Sequence, residues 1–126
     1  MTLTILSVAS PYAPVDPDSG ATDGLMVAAL DAALVRAGHR SLVIGVEGSA
    51  VSGSLIPLPR VAGAVNQRAR GIVAKRVAAT IASTLERHPV DLVHLHLEDF
   101  PVCLPATGLP TLVTLHRPLD DYPRTP

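Results

Sequence analysis

Two amphipathic stretches, residues 23–37 and 61–87, each stand between short apolar runs. This alternation constrains the fold more than any other feature. A strand, a helix and a second strand bury their apolar surfaces together as a βαβ unit, with parallel strands and a right-handed crossover. The apolar runs cover residues 3–9, 41–46, 55–58, 91–97 and 109–115. They lack the strict polar alternation of a sheet wet on one face, so they read as strands covered on both sides. The order β-α-β-β-α-β-(α)-β predicts an α/β fold, a Rossmann-like parallel sheet with flanking helices, in one domain over residues 1–126. Hydrophobic residues make up 48% and aromatics only 2%, so Ala, Val, Leu and Ile must fill the core.

The helices have legible ends. In the first, Leu25, Ala29, Leu30, Ala33, Leu34 and Ala37 form an apolar stripe at helical spacing. Thr22 suits its N-cap, Asp23 its N-terminal dipole, and Gly38 a left-handed C-terminal cap. In the second, Val65, Ala69, Ile72, Val73, Val77, Ile81 and Leu85 form the expected buried face, while Gly63 and Gly71 weaken its first half. His88-Pro89 ends it, because a residue before proline disfavours helical backbone.

The composition excludes several functions. Net charge is -1 and aromatics are scarce, so the basic stripe and stacking rings of a nucleic-acid module are missing. Cys103 is the only cysteine, which rules out an intrachain disulfide and reads as a small buried hydrophobe compatible with a reducing cytoplasm. The N-terminal run lacks a basic flank and is cut off by Pro11, unlike a signal peptide, and no run approaches the ~20 apolar residues that span a bilayer. A cytoplasmic location is expected. Neither G-x-G-x-x-G nor a Walker A loop follows the first strand, so the commonest nucleotide fingerprints of such sheets are absent.

In an open parallel sheet, ligands bind beyond the carboxyl ends of the strands, where strand order reverses. Residues 10–23, 98–101 and 116–121 leave those ends. The first segment carries Pro11, Pro14, Pro17 and Gly20 and closes in Gly20-Ala21-Thr22-Asp23 at a helix N-terminus, where free N–H groups can receive a phosphate. The loop holds acids and no base, so a plain capped helix explains it equally well. His94 and His96 share one strand face and would need a third ligand to hold zinc. His96, nearer the carboxyl end, is the better ligand-facing residue. His116 follows the last strand, where an imidazole can bind a sugar hydroxyl or act as acid or base. Arg60, Arg68, Arg70, Lys75 and Arg76 read as the wet face of a buried helix, with peripheral contact to anionic lipid as the alternative.

Taken together, Gly20-Ala21-Thr22-Asp23 after a long proline-rich loop, Asp91-Leu92-Val93-His94-Leu95-His96, and Thr114-Leu115-His116-Arg117-Pro118-Leu119-Asp120 resemble the N-terminal domain of GT-B-fold glycosyltransferases of family 4. The resemblance covers nearly the whole chain. It implies sugar transfer, with retention, from a nucleotide-sugar donor to a sugar-type acceptor, and neither a metal nor another cofactor. It places Gly20 and Ala21 at the family's Gly-Gly pair near the donor phosphates, with Ala21 adding a Cβ that hinders close approach. Asp23 stands where the family often has a polar residue, His116 where a histidine contacts the donor sugar, and Arg117 where a glycine is common, which narrows the cleft.

The tail, residues 117–126, holds three prolines and two adjacent acids and leads out of the last strand with no covering helix. The chain is therefore expected to be a truncated N-terminal half, inactive without the family's donor-binding C-terminal domain. The alternatives are a free-standing Rossmann-like binding or regulatory module without catalysis, and a small metalloenzyme using His94, His96 and His116.

Overall fold

A computed structural model describes residues 1–18, 22–63, 65–105 and 108–118, and for Thr22 and Asp23 the backbone alone. Five parallel strands form one sheet in the order β3-β2-β1-β4-β5, with β1 at Thr4–Val8, β2 at Arg40–Val46, β3 at Ser54–Leu58, β4 at Leu92–Leu95 and β5 at Thr111–Val113. Helix α1 (Thr22–Arg36) joins β1 to β2, α2 (Gln67–Arg87) joins β3 to β4, and the short α3 (Phe100–Cys103) precedes β5. The α/β, Rossmann-like fold read from the sequence is thus present. Among the described residues no helix is long and apolar enough to cross a membrane.

The sheet has a core on each face. Leu6, Val8, Leu42, Ile44, Val93 and Leu95 pack with Val73, Val77 and Ile81 of α2. Val43 packs on the opposite face with Val27 and Ala28 of α1 and Val15 of the first loop. Pro57 is tolerated because β3 is an edge strand, where a missing N–H interrupts no ladder. Cys103 is buried as expected, its thiol directed at the Ala74 carbonyl oxygen at 3.6 Å, and burial raises its pKa to about 11.

Helix α1 ends as Gly38 requires. The Gly38 and His39 amides donate to the Val35 and Leu34 carbonyls, and Gly38 adopts a φ of 86°, which together make a Schellman cap. Its buried face, however, is rotated from the expected stripe. Val27 is 1% exposed whereas Leu25 is 44% exposed. Nearly every turn of α1 carries Ala, Leu, Val or Met on several sides, so periodicity could not select a face.

The face is fixed instead by Asp31, which is 1% exposed. Its carboxylate accepts hydrogen bonds from Ser41 Oγ at 2.6 Å and from the backbone amides of Ser52 and Gly53 at 2.6 and 3.1 Å. Residues 47–53, which link β2 to its parallel neighbour β3, contain no helix and fall short of the roughly a dozen residues such a crossover usually takes. Asp31 pins that connection. A Cβ on Gly53 would collide with the Ser41 carbonyl oxygen, so the position requires glycine.

The second helix begins later than the expected residue 61. Gly63 takes a left-handed φ of 80°, and Asn66 caps the helix by accepting from the Ala69 amide at 2.8 Å. Val73, Val77 and Ile81 are buried as read, but Val65 and Ile72 are exposed. His88 is extended before Pro89 and ends the helix as expected.

Candidate functional site

Strand order reverses between β1 and β4, and the carboxyl ends there carry the site. A cavity of about 470 Å³ opens at that point. Its walls come from the first loop (Ser10, Tyr12), from α2 (Arg70) and from the segment after β4 (Glu98, Asp99). His96 and Arg117 complete it. These are three of the regions that chain order alone marked as candidates, with α2 as an addition.

The four charges at the cavity pair with one another. Arg70 Nη2 lies 3.1 Å from Glu98 Oε2 and 3.1 Å from Asp99 Oδ2. Arg117 Nε lies 2.6 Å from Glu98 Oε1. Glu98 therefore bridges α2 to the segment after β5. The Arg70 guanidinium also lies 5.7 Å from the centre of the Tyr12 ring, within cation–π range. The expectation that Arg70 belongs to the wet face of α2 is corrected: it turns into the cavity, whereas Arg60, Arg68, Lys75 and Arg76 are exposed as read. Arg117 lines the cavity.

Behind the charges stands a row of histidines. His94 pairs in register with Leu112 across β4 and β5, so residues 94, 96, 114 and 116 share one sheet face. Within the row His94 Nε2 is 2.6 Å from Thr114 Oγ1, and His96 Nδ1 is 2.9 Å from His116 Nε2. The His94 and His96 ring centres are 3.9 Å apart and those of His96 and His116 are 5.2 Å apart. The three histidines thus come together, although their nitrogens face one another and Thr114 rather than a common point. Among the described residues no group of three or more His, Cys, Asp or Glu could hold a metal ion.

His96 is 3% exposed. Burial, reinforced by the charges that His94 and His116 carry when protonated, lowers its pKa to about 3, so the ring is neutral at physiological pH. Burial and His116 shift His94 in the same direction. Tyr12 is held as a neutral phenol, its pKa raised mainly by burial. Of the residues expected at the site, His96 lines the cavity and His116 contacts it from behind. Gly20 and Ala21 lie outside the described residues, as does the side chain of Asp23, which stands in the first turn of α1.

Tyr12, Glu98 and Asp99 were not singled out from the sequence, and Arg70 was read only as part of a wet helix face. Only the carboxyl-end rule pointed near three of them. Nothing in helical periodicity reveals that Arg70 turns inward, since it stands on the rim between the buried and wet faces of α2. No protein-family model matches the chain, and no curated protein matches it.

Proposed function

We propose that these residues form the N-terminal, acceptor-side domain of a GT-B-fold glycosyltransferase of family 4, which transfers a sugar from a nucleotide-sugar donor to a sugar-type acceptor. The observation that carries this reading is the coupling of His96 to His116 at 2.9 Å beside a cavity at the switch point of the sheet. Two strand-end motifs distant in sequence meet where a transferase of this architecture needs its reacting groups.

In this reading His116 contacts the donor sugar, with His96 holding its ring through the shared hydrogen bond. Gly20 and Ala21 approach the donor phosphates, and Asp23 stands beside them. The nucleotide pocket belongs to a second domain, so these residues are inactive by themselves. The enzyme works in the cytoplasm and needs neither metal nor other cofactor.

The coding sequence beyond codon 126 tests the proposal. It is expected to encode a second α/β domain with a nucleotide-sugar pocket, or to lie beside a gene that does. Finding neither removes the reading. A free-standing binding module is the second reading, and the mutual pairing of Arg70 and Arg117 with Glu98 and Asp99 favours it, because the acids and bases at the cavity are matched within these residues. Slow hydrogen exchange across residues 109–115 supports such a module, and rapid exchange there opposes it.

A further inference from the structure

The arginines of the cavity and those of a second groove differ in their partners. Arg70 and Arg117 are held by Glu98 and Asp99, whereas Arg40, Arg76 and Arg87 have no carboxylate within ion-pair distance among the described residues. The groove, of about 380 Å³, lies between α2 and the edge strand β3. Arg76, Thr80, Ser83 and Arg87 follow one another at helical spacing along its α2 wall, with His88 at one end and Ile56 on the β3 side. Arg40, which opens β2, reaches that end, its Nη2 lying 3.4 Å from His88 Nδ1. A guanidinium only donates, so His88 accepts through Nδ1 and keeps its ring hydrogen on Nε2. Helix α2 carries the chain back from β3 to β4, so the His88 end of the groove lies at the amino ends of the strands, away from the cavity.

We propose that this groove binds a small soluble ligand carrying more than one phosphate group. Arg76 and Arg87 stand roughly 16 Å apart along α2, so they suit anionic groups at two points better than one isolated phosphate. At the far end Arg87, Arg40 and His88 offer donors from two separate elements. Ser83 adds a hydroxyl between the two helix arginines. A phosphate presents several charged oxygens and accepts from donors in several directions, whereas a single carboxylate has only two oxygens. Among the described residues no carboxylate lines the groove, so an anion enters without displacing one.

Two ordinary roles each explain one of these arginines. A base in the last turn of a helix complements its dipole, which suits Arg87, and a solvated helix face suits Arg76. Neither brings Arg40 from β2 to the same groove. The helix C-terminus carries roughly half a negative charge, against three whole positive ones, so the net field still draws anions. Like charges gathered without partners repel one another, and a polyanion removes that repulsion. A lipid surface fits less well. Ile56, the one large apolar side chain lining the groove among the described residues, is half-buried and packs on the core, which leaves no anchor for a bilayer. The groove shares no lining residue with the cavity, so this site stands whether or not the transferase reading does.

Titration of the intact protein with sodium pyrophosphate and sodium tripolyphosphate at low ionic strength tests it, followed by NMR of the backbone amides and the arginine Nε–H groups. The expected result is saturable shifts centred on residues 76–88 and Arg40, with inorganic phosphate bound about tenfold more weakly. Arg40→Gln and Arg76→Gln, both at exposed positions, are each expected to weaken tripolyphosphate binding about fivefold to tenfold. Arg68→Gln removes the same charge from α2 outside the groove and is expected to change the affinity less than about twofold. Equal weakening by Arg68→Gln means attraction to overall charge and overturns the proposal. The absence of saturable shifts overturns it too, as does unchanged affinity in both groove variants. Vesicles of phosphatidylglycerol distinguish the source of the phosphate. Sedimentation with them, by a protein that does not respond to tripolyphosphate, assigns the groove to a lipid surface and overturns the soluble ligand.

Discussion

His96 Nδ1 lies 2.9 Å from His116 Nε2, which ties the end of β4 to the segment that follows β5. The burial of His96 has a thermodynamic consequence, because the buried ring resists protonation. The unfolded His96 ring takes up a proton near the ordinary value of 6.5, whereas the folded ring does so only near 3. Its contribution to stability is therefore complete above the unfolded value and is lost as pH falls from there towards the folded one. His96 is expected to cost the fold about 2 kcal/mol on going from about pH 7 to about pH 5. His94 adds to the loss in the same direction. Urea midpoints across that range measure it, and His96→Gln is expected to flatten the acid limb.

Asp31 fixes the face that α1 turns to the sheet. Asp31→Ala leaves the Ser41 hydroxyl and the Ser52 and Gly53 amides without their acceptor. The expected loss is about 2–4 kcal/mol by chemical denaturation. Gly53→Ala is expected to destabilise as well, because the added Cβ meets backbone of β2 and not a flexible side chain.

Val27 and Leu25 distinguish the observed helix face from the one periodicity offered. Val27→Ala is expected to cost about 1–3 kcal/mol, and Leu25→Ala under about 1 kcal/mol. Equal losses in the two thermal melts would restore the stripe read from the sequence.

The same pair shows how far the sequence reaches. The five strands, the Gly38 cap and the stop at His88 were legible because each depends on local chemistry: apolar runs, a left-handed glycine, a residue before proline. The face of α1 was not, because the residue that decides it is an acid, and Asp31 is buried only through partners on two other segments. At the site, His96 and His116 were found from strand ends. Arg70 and Tyr12 were missed because their roles exist only once α2 and the first loop converge on Glu98 and Asp99.

Glu98 holds two arginines, yet all of these side chains are at least partly exposed to solvent. Pairs of that kind contribute little to stability, so Glu98→Gln is expected to shift the denaturation free energy by less than about 1 kcal/mol. Its effect is expected at the contact itself, as a change in the chemical shift of the Arg117 Nε–H when the carboxylate is lost. A loss of several kcal/mol would mean that the bridge is structural.

The most direct test of the transferase reading is sugar transfer by the complete protein that contains these residues, supplied with labelled nucleotide sugars and sugar acceptors. The expected result is transfer from one donor, reduced roughly a hundredfold in His116→Ala with the fold intact by circular dichroism. Transfer from no donor, or an undiminished rate in the folded His116→Ala variant, would contradict it.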